Sequence, residues 1–545
     1  MEYVVAAVSI IIILIVVIIR NRKLEKQKIL TFLQESFGRP KDENITHNHF
    51  IELKKILDDR EDALPDSVWN DLNMDSVYEY VDQSVSAIGE EYLYLTMHTL
   101  QHDTVKLKKR INLAKELSDK KLSLSLRYKL LSVKKQEYMT IHECIKTLSS
   151  AKQSSTLFHV FCLLLFLGSF VFTFFQPEIG FMPCIIIAGF NCVVYLNKKS
   201  NIARYDDAVQ SIVKWLNMID DISRENVENK PEFNELINKT EKYSHDFSSF
   251  RRFSWLLAPK SAVGSIMDML MDYVKFVTHL DLIKFNLSVK LLKTRQRELI
   301  DLYNLTGELE LAIIISGVLE MDRKTCVAQF DEGKKLFINS SGMTHPLLSE
   351  PVANDCITEN NILLTGSNAS GKSTYLKMVG VNVILAQTLG IAFADNYKAA
   401  LFDIRTSINI SDDIISGDSF YLAEIKRIKT LIEAVDKGNP LLICIDEILK
   451  GTNTVERIAA LAEILRYFAK DNVVVLAATH DIELTGLLAE IYDNYYFTEN
   501  VNLSNIFDYK LRKGVVYTSN AIKLLERYGY PDDIIRNSYE YINKE

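Results

Sequence analysis

The sequence predicts an α/β domain at the C-terminus, preceded by an all-α region that contains membrane-spanning helices. After about residue 325, short apolar runs are separated by helical segments, and continuous apolar runs are typical of parallel strands buried on both faces. Before that point the chain is rich in Leu, Lys, Glu and Ile and poor in Gly and Pro, which indicates long amphipathic helices. Within this helical region lie three apolar segments of about the length that crosses a bilayer.

These changes of pattern divide the chain into five parts. They are an N-terminal anchor with a basic flank (1–28), a first helical part (29–150), an apolar hairpin (151–199), a second helical part with lever helices (200–324) and the α/β domain (325–545). The composition, with 48% hydrophobic and 25% charged residues, is ordinary for a folded protein. A net charge of −8 does not favour a surface coated with basic residues, although a local basic stripe would still suit nucleic acid.

The first apolar segment covers residues 3–19 and is followed by a basic flank. The flank consists of Arg20, Arg22, Lys23, Lys26 and Lys28. No basic region precedes the segment and no small-residue cleavage site follows it, so an uncleaved anchor fits better than a signal peptide. The excess of positive charge predicts that the chain continues in the cytoplasm.

The second and third apolar segments, residues 157–175 and 179–196, form a predicted transmembrane hairpin. Only Gln176-Pro177-Glu178 separates them, and basic residues follow the second one. A hairpin that enters from the cytoplasm and returns to it satisfies the segment lengths and the charge bias. The alternative is a pair of buried core helices. We therefore expect a multi-pass protein of the cell membrane, with its helical core and α/β domain in the cytoplasm.

The second helical part shows apolar residues at heptad-like spacing, which predicts long amphipathic helices. The positions are Leu270, Val274, Val277 and Leu282, and then Leu291, Leu299 and Leu302.

A phosphate-binding loop is the most specific motif of the α/β domain. The apolar run 361–365 is followed by the pattern G-x-x-x-x-G-K-S and then by a predicted helix. Glycines allow backbone N–H groups to surround phosphates, and the positive N-terminal end of the helix faces the same anion. The alternative, a Gly/Ser turn with a chance lysine, is disfavoured by the strand and helix on either side. The predicted ATP-binding residues are Gly366, Ser367, Asn368, Ala369, Ser370, Gly371, Lys372, Ser373 and Thr374.

Further catalytic residues are predicted at the ends of two later strands. The run 441–445 ends in Asp446-Glu447, where Asp446 would hold Mg²⁺ together with the Ser373 hydroxyl, and Glu447 would polarise the attacking water. The run 473–477 leads to His480, which is either an ordinary surface histidine or a sensor of the γ-phosphate. Lys372 would contact the β- and γ-phosphates.

Four stretches in this order resemble the MutS family of mismatch-repair ATPases. They are Thr365 to Tyr375, Ser411 to Phe420, Asp446 to Thr454, and Ala478-Thr479-His480. Upstream, Ile88 to Tyr94 resembles the start of the MutS helical core, and Leu305 to Glu310 resembles its return into the ATPase. The tail from Thr518 to Ile535 resembles the end of the ATPase domain. The resemblance covers roughly residues 70–150 and 200–545, with the hairpin interrupting the helical core.

The resemblance implies an ABC/MutS-like P-loop ATPase that uses ATP and Mg²⁺ and works as a homodimer with composite sites. Ser419 matches the serine that reaches the partner's γ-phosphate, and Gly451 to Thr454 match the loop that couples the two sites. Asp418 departs from the family, which usually has a basic residue there.

The family's mismatch-sensing domain has no room in this chain. Only about fifty residues separate the first anchor from the helical core, so the match of Phe50-Ile51-Glu52 to the Phe-x-Glu wedge of that domain is taken as chance. We therefore expect a membrane-anchored MutS-like ATPase whose helical arms clamp DNA. The alternatives are a membrane machine of the ABC-transporter class, disfavoured by the small number of spans and the lack of an L-S-G-G-Q motif, and an ATP-gated protein scaffold that binds no DNA.

Overall fold

The computed structural model describes most of the chain. The described residues are 2–41, 51, 53–57, 62–133, 139–151, 155–225, 227–253, 257, 266–333, 335–358, 360–367, 370–408, 420–449, 453–498, 507–516 and 521–542. Up to residue 320 these residues form helices and no strand. The helices are α1 (Glu2–Glu35), α2 (Asp66–Asp71), α3 (Met74–Val81), α4 (Ala87–Met97), α5 (Thr104–Glu116), α6 (Lys120–Leu130), α7 (Ile141–Ser150), α8 (Thr156–Phe175), α9 (Pro177–Ala203), α10 (Asp206–Ile222), α11 (Pro231–Asp246), α12 (Ser248–Arg251), α13 (Ile266–Thr278), α14 (Leu280–Thr294) and α15 (Gln296–Leu319).

The predicted anchor and its basic flank form one continuous helix, α1. The C-terminal end of α1 packs on α6: Leu33 is fully buried, and the Arg127 guanidinium donates to the Leu33 carbonyl and, over 3.1 Å, to Ser36 Oγ. The ammonium group of Lys26 lies 5.1 Å from the centre of the Tyr128 ring. The anchor helix is therefore joined directly to the helical core.

Helices α8 and α9 pack against each other as an antiparallel pair with largely exposed apolar side chains. The most apolar windows of the two helices are only 11% and 17% buried. The connection is shorter than the sequence suggested, because Pro177 is already the first residue of α9 and Gln176 alone joins the helices. Helix α15 is also long and apolar enough to span a membrane, but 78% of its window is buried. Its apolar residues belong to the protein core.

The heptad-like apolar positions lie on three consecutive helices, α13, α14 and α15. His279, with φ of 57°, separates α13 from α14, and Arg295 separates α14 from α15. A left-handed residue cannot continue a right-handed helix.

The two stretches that resemble the start and the return of the MutS helical core meet in a close crossing of α4 and α15. A Cβ added to Gly89 would lie 2.1 Å from Glu310 Cδ, and one added to Gly307 would lie 2.2 Å from Tyr92 Cγ. Glu310 is buried and accepts hydrogen bonds from the backbone N–H groups of Val85 and Ser86. Both glycines are therefore required for the close approach of these helices.

We expect Gly307→Ala to lower the free energy of unfolding by about 1–3 kcal/mol, because the added methyl group overpacks the crossing. Gly486→Ala is the matched control, since Gly486 is also helical and a Cβ there would meet nothing within 4 Å. Urea unfolding of the detergent-solubilised protein measures both. Equal stability of the two variants would contradict the steric role of Gly307.

The α/β domain follows α15. Its described strands and helices are β1 (Cys326–Val327), β2 (Gln329–Phe330), β3 (Ile338–Met343), β4 (Asn354–Ile357), β5 (Asn361–Thr365), α16 (Lys372–Leu389), β6 (Ile391–Ala392), β7 (Asn396–Ala399), β8 (Asp403–Ser407), α17 (Phe420–Asp436), β9 (Leu441–Asp446), α18 (Thr454–Phe468), β10 (Val473–Ala478), α19 (Glu483–Leu487), β11 (Tyr492–Tyr496), β12 (Arg512–Lys513), α20 (Ala521–Arg527) and α21 (Asp532–Ile542). Among the described residues, the central sheet has the order β12-β11-β5-β10-β9-β8, parallel except for β12. A second sheet has the order β2-β7-β3-β4.

The helical region packs directly on the α/β domain. Helix α16 is almost entirely buried and contacts α4, α5 and the central sheet. From α2, the buried Asp71 carboxylate accepts from Thr406 Oγ1 (2.7 Å) and from the N–H of Ile408 (3.1 Å), and it lies 3.7 Å from the Arg427 guanidinium. One carboxylate of the helical region thus contacts the end of β8 and helix α17. The two regions share one packed core.

Candidate active site

Three strand ends meet at one edge of the central sheet. In the parallel register, Ala478 of β10 pairs with Leu364 of β5 on one side and with Asp446 of β9 on the other. The N–H of Glu447 donates to the carbonyl of Ala478 (3.0 Å), and the N–H of Thr479 donates to the carbonyl of Leu364 (2.9 Å). The loop after β5, the carboxylates after β9 and the histidine after β10 are therefore neighbours.

The loop between β5 and α16 has the backbone geometry that the motif predicts. Gly366 and Gly371 have φ values of 140° and 112°, which residues with a side chain rarely adopt. In addition, a Cβ on Gly366 would lie 2.7 Å from the carbonyl oxygen of Phe497. Within the part of the chain that the structure describes, the hydroxyls of Ser367 and Ser370 are buried without a hydrogen-bond partner. Helix α16 begins at Lys372, so its N-terminal end faces this loop. This arrangement fits a phosphate group.

The side chain of Lys372 lies at the centre of the site. It is buried, and its Nζ donates to the carbonyls of Gly366 (2.8 Å) and Ser367 (3.0 Å). It also lies 3.3 Å from Glu447 Oε1, the same oxygen that contacts His480 Nε2. The structure thus brings three sequence-predicted residues, Lys372, Glu447 and His480, into one connected group.

The backbone at Glu447 is held in an unusual conformation. Glu447 and Leu449 have φ of 50° and 62°, in the left-handed region that residues other than glycine rarely occupy. Such strain persists only where the surroundings impose it, and it concentrates at functional sites. Next to His480, Asp481 accepts from Arg457 of α18 over 3.0 Å, which ties the end of β10 to the helix after β9. The positions of Glu447 and His480 are therefore well determined.

A cavity of about 410 Å³ lies beside the phosphate loop. Its lining includes Ser373, Thr374, His345, Phe497 and Tyr509. The last three residues were missed in the sequence, because they come from distant segments and follow no spacing pattern. Burial lowers the pKa of His345 to about 4, so its ring is neutral at physiological pH and suits contact with an uncharged base. The cavity is of the size of small-ligand sites.

Some predicted site residues lie outside the described residues. These are Asn368, Ala369, Ser419 and its neighbour Asp418, Gly451 and Thr452, as well as Phe50 and Glu52 of the Phe-x-Glu match. Ser373 is exposed toward the cavity, and Asp446 is the last residue of β9. Hydroxyl and carboxylate oxygens are ligands that Mg²⁺ prefers, so these two residues fit the metal of a nucleotide complex.

Comparison with known proteins gives the class of this domain. Residues 362–544 match the family model described as MutS domain V. The chain is 30% identical over 190 residues to the DNA mismatch repair protein MutS of Natronomonas pharaonis, covering 34% of this chain and 22% of that protein. It is 28% identical over 257 residues to MutS of Fusobacterium nucleatum, and the match covers 45% of this chain and 28% of that protein. It is 31% identical over 196 residues to the DNA mismatch repair protein MSH3 of Saccharomyces cerevisiae, and the match covers 34% of this chain and 19% of that protein.

The α/β domain is thus an ABC-type ATPase domain of the MutS domain V class, and a helical region precedes it. Domains of this class use ATP with Mg²⁺ and generally dimerise. The chain spans between 19% and 28% of the length of these three relatives, which are its distant homologues.

Proposed function

We propose that this protein is a membrane-anchored ATPase that works as a dimer and couples ATP hydrolysis to the clamping of DNA by its helical region. The observation that carries the hydrolytic part is the meeting of Lys372, Glu447 and His480 beside the phosphate loop. The direct packing of α16 against α4 and α5 gives a physical route from the nucleotide to the helical region.

Each residue has a distinct proposed role. Lys372 exchanges its loop carbonyl partners for the β- and γ-phosphates. Glu447 orients the attacking water and takes up its proton, and His480 contacts the γ-phosphate from the neighbouring strand end. Ser373 and Asp446 would hold Mg²⁺, which would supply positive charge to offset that of the phosphate oxygens. His345 and Tyr509 line the same cavity and are the proposed contacts of the base.

The proposed membrane insertion is supported by the exposed apolar surface of α8 and α9. Phe161, Leu164 and Ile186 are each more than 60% exposed, far more than a water-soluble pair of core helices would tolerate over such a continuous area. No charged side chain interrupts residues 156–175. Helix α15, by contrast, is buried in the helical core, and this weakens the ABC-transporter alternative.

We expect the N-terminus and Gln176 to lie on the same, non-cytoplasmic side of the membrane. A cysteine at Gln176 should react with an impermeant thiol reagent in intact cells, whereas one at Lys198 should react only after lysis. Cys184, Cys192 and Cys326 are partly exposed and are first replaced by alanine. Labelling of both positions only after lysis would contradict the hairpin topology.

DNA is proposed as the ligand because the relatives are named as DNA mismatch repair proteins. The full chain in detergent should bind double-stranded DNA with an affinity that falls steeply with salt, as release of counterions from phosphates requires. Binding is measured by fluorescence anisotropy with and without ATP. No binding at low salt in either state would leave the ATP-gated protein scaffold as the function.

A further inference from the structure

The joint between α13 and α14 is attached to the apolar hairpin by buried polar contacts. His279, the left-handed residue at the joint, is fully buried, and its Nε2 lies 2.9 Å from the carbonyl oxygen of Asn191 in α9. A carbonyl only accepts, so Nε2 carries the hydrogen of this bond, and Nδ1 of the same ring lies 3.2 Å from His159 Nδ1 of α8. The joint is thus bonded to both helices of the hairpin.

Three further hydrogen bonds surround this joint, on both sides of His279. The Asn191 side-chain amide donates to the carbonyl of Val277 in α13 (2.8 Å) and to that of Cys162 in α8 (3.1 Å). On the α14 side, the Tyr195 hydroxyl donates to Asp281 (2.7 Å). Hydrogen bonds at buried or partly buried positions therefore connect the C-terminal end of α13 and the start of α14 to the hairpin, and such bonds are costly to break.

Helix α13 also presents apolar side chains away from the protein. Met269 and Tyr273, one turn apart, are 60% and 62% exposed, and Val274 is 42% exposed. This surface continues the exposed apolar surface of the hairpin, since α13 packs against both α8 and α9. Helix α13 meets α9 at Asn191 and Tyr195. Asn191 lies seven residues before Lys198, roughly 10 Å along the helix, and Tyr195 lies three residues before it, roughly 5 Å. The contact therefore lies just inside the charged end of the hairpin.

We infer that α13 is a third membrane-contacting element, which lies in the lipid interface on the cytoplasmic side of the hairpin. This inference rests on the proposed membrane insertion of α8 and α9. Tyr273 and Phe276 are aromatic residues at the level where aromatic side chains are enriched in membrane proteins. Partial burial of an amphipathic helix in the headgroup region removes its exposed apolar side chains from water without a protein partner. Through the His279 joint, the membrane is thus connected to α14 and, beyond Arg295, to α15.

The test measures the accessibility of nitroxide labels in the full chain reconstituted into phosphatidylcholine and phosphatidylglycerol vesicles. Labels are attached to Met269→Cys, Tyr273→Cys and the hairpin position Phe161→Cys, in the background without Cys184, Cys192 and Cys326. The exposed Tyr467→Cys on α18 is the water-facing control. Oxygen, which dissolves in lipid, should relax the labels on α13 and the hairpin several-fold more effectively than a water-soluble nickel complex. At Tyr467 the nickel complex should dominate.

Each outcome separates this inference from the function on which it rests. A hairpin label in lipid together with α13 labels in water would overturn the assignment of α13 and leave the membrane hairpin intact. A water-accessible hairpin label would overturn the membrane insertion itself. If a cysteine at Met269 disturbs folding, shown by loss of ATPase activity, the label at Tyr273, which is 62% exposed, decides alone, provided that this variant keeps its ATPase activity.

Discussion

Replacing Glu447 with glutamine is expected to reduce steady-state ATP hydrolysis by roughly 10²–10⁴-fold, the usual contribution of a general base, while ATP binding persists. Glutamine keeps the shape of the side chain, so the strained backbone at this position can be retained. It loses the negative charge that orients the water and takes up the proton. ATP should therefore remain in the site unhydrolysed.

Lys372→Ala should give a different defect at the same site. The Lys372 ammonium is buried between two loop carbonyls and Glu447, and it is the proposed contact of the phosphates. Its removal should weaken ATP binding as well as turnover, because the interaction with the phosphates exists before hydrolysis as well as during it. ATP affinity from equilibrium binding and turnover from phosphate release distinguish the two variants.

Glu463→Gln serves as the control for both, since Glu463 is an exposed carboxylate of α18 that pairs with Arg466 on the same helix. It should retain full activity. Normal turnover in Glu447→Gln would remove Glu447 from its role, and normal ATP affinity in Lys372→Ala would require another residue to hold the phosphates.

The edge of the central sheet could be predicted because its signals are local. A buried strand, a Gly-rich loop and a helix are consecutive between residues 361 and 389, and the loop's conformation depends mainly on its own glycines. The carboxylates after β9 follow from the rule that parallel strands end at the same edge. The contact of Glu447 with Lys372 is consistent with this prediction.

What the sequence did not reveal depends on contacts between distant residues. The break at His279 could not be predicted from the heptad-like pattern, because the left-handed conformation is stabilised by Asn191, 88 residues away. His345, Phe497 and Tyr509 converge on the cavity from segments far apart in the chain. Likewise, composition does not tell that α15 is buried while α8 and α9 are exposed, since all three are long and apolar.

The composite site of a dimer gives the second large expected effect. Ser419 lies outside the described residues, and its proposed role comes from the resemblance to MutS ATPases. Helix α17 begins one residue later and exposes Tyr421, Leu422 and Ile425, each at least 40% accessible. An apolar surface at this place is compatible with a second ATPase domain facing the segment. We propose that ATP brings two such domains together.

Mixing two inactive variants should then restore activity. A Ser419→Ala chain keeps its own phosphate loop but damages its partner's site, and a Lys372→Ala chain has the reverse defect. In the mixed dimer one composite site carries both lesions and the other carries none. About one active site per mixed dimer should therefore reassemble, whereas each variant alone stays nearly inactive. The measurement is ATP hydrolysis by co-expressed, differently tagged chains purified through both tags.

The control is a mixture of Lys372→Ala with Glu447→Gln, two residues whose side chains meet within one chain. In that mixed dimer each chain carries a defective phosphate site of its own, so no intact site forms and no recovery is expected. Recovery in the first mixture and not in the second would assign Ser419 to the partner's site. No recovery in either, despite confirmed mixed dimers, would mean that Ser419 acts within its own chain, or that the acidic Asp418 has changed how the partner phosphate is held.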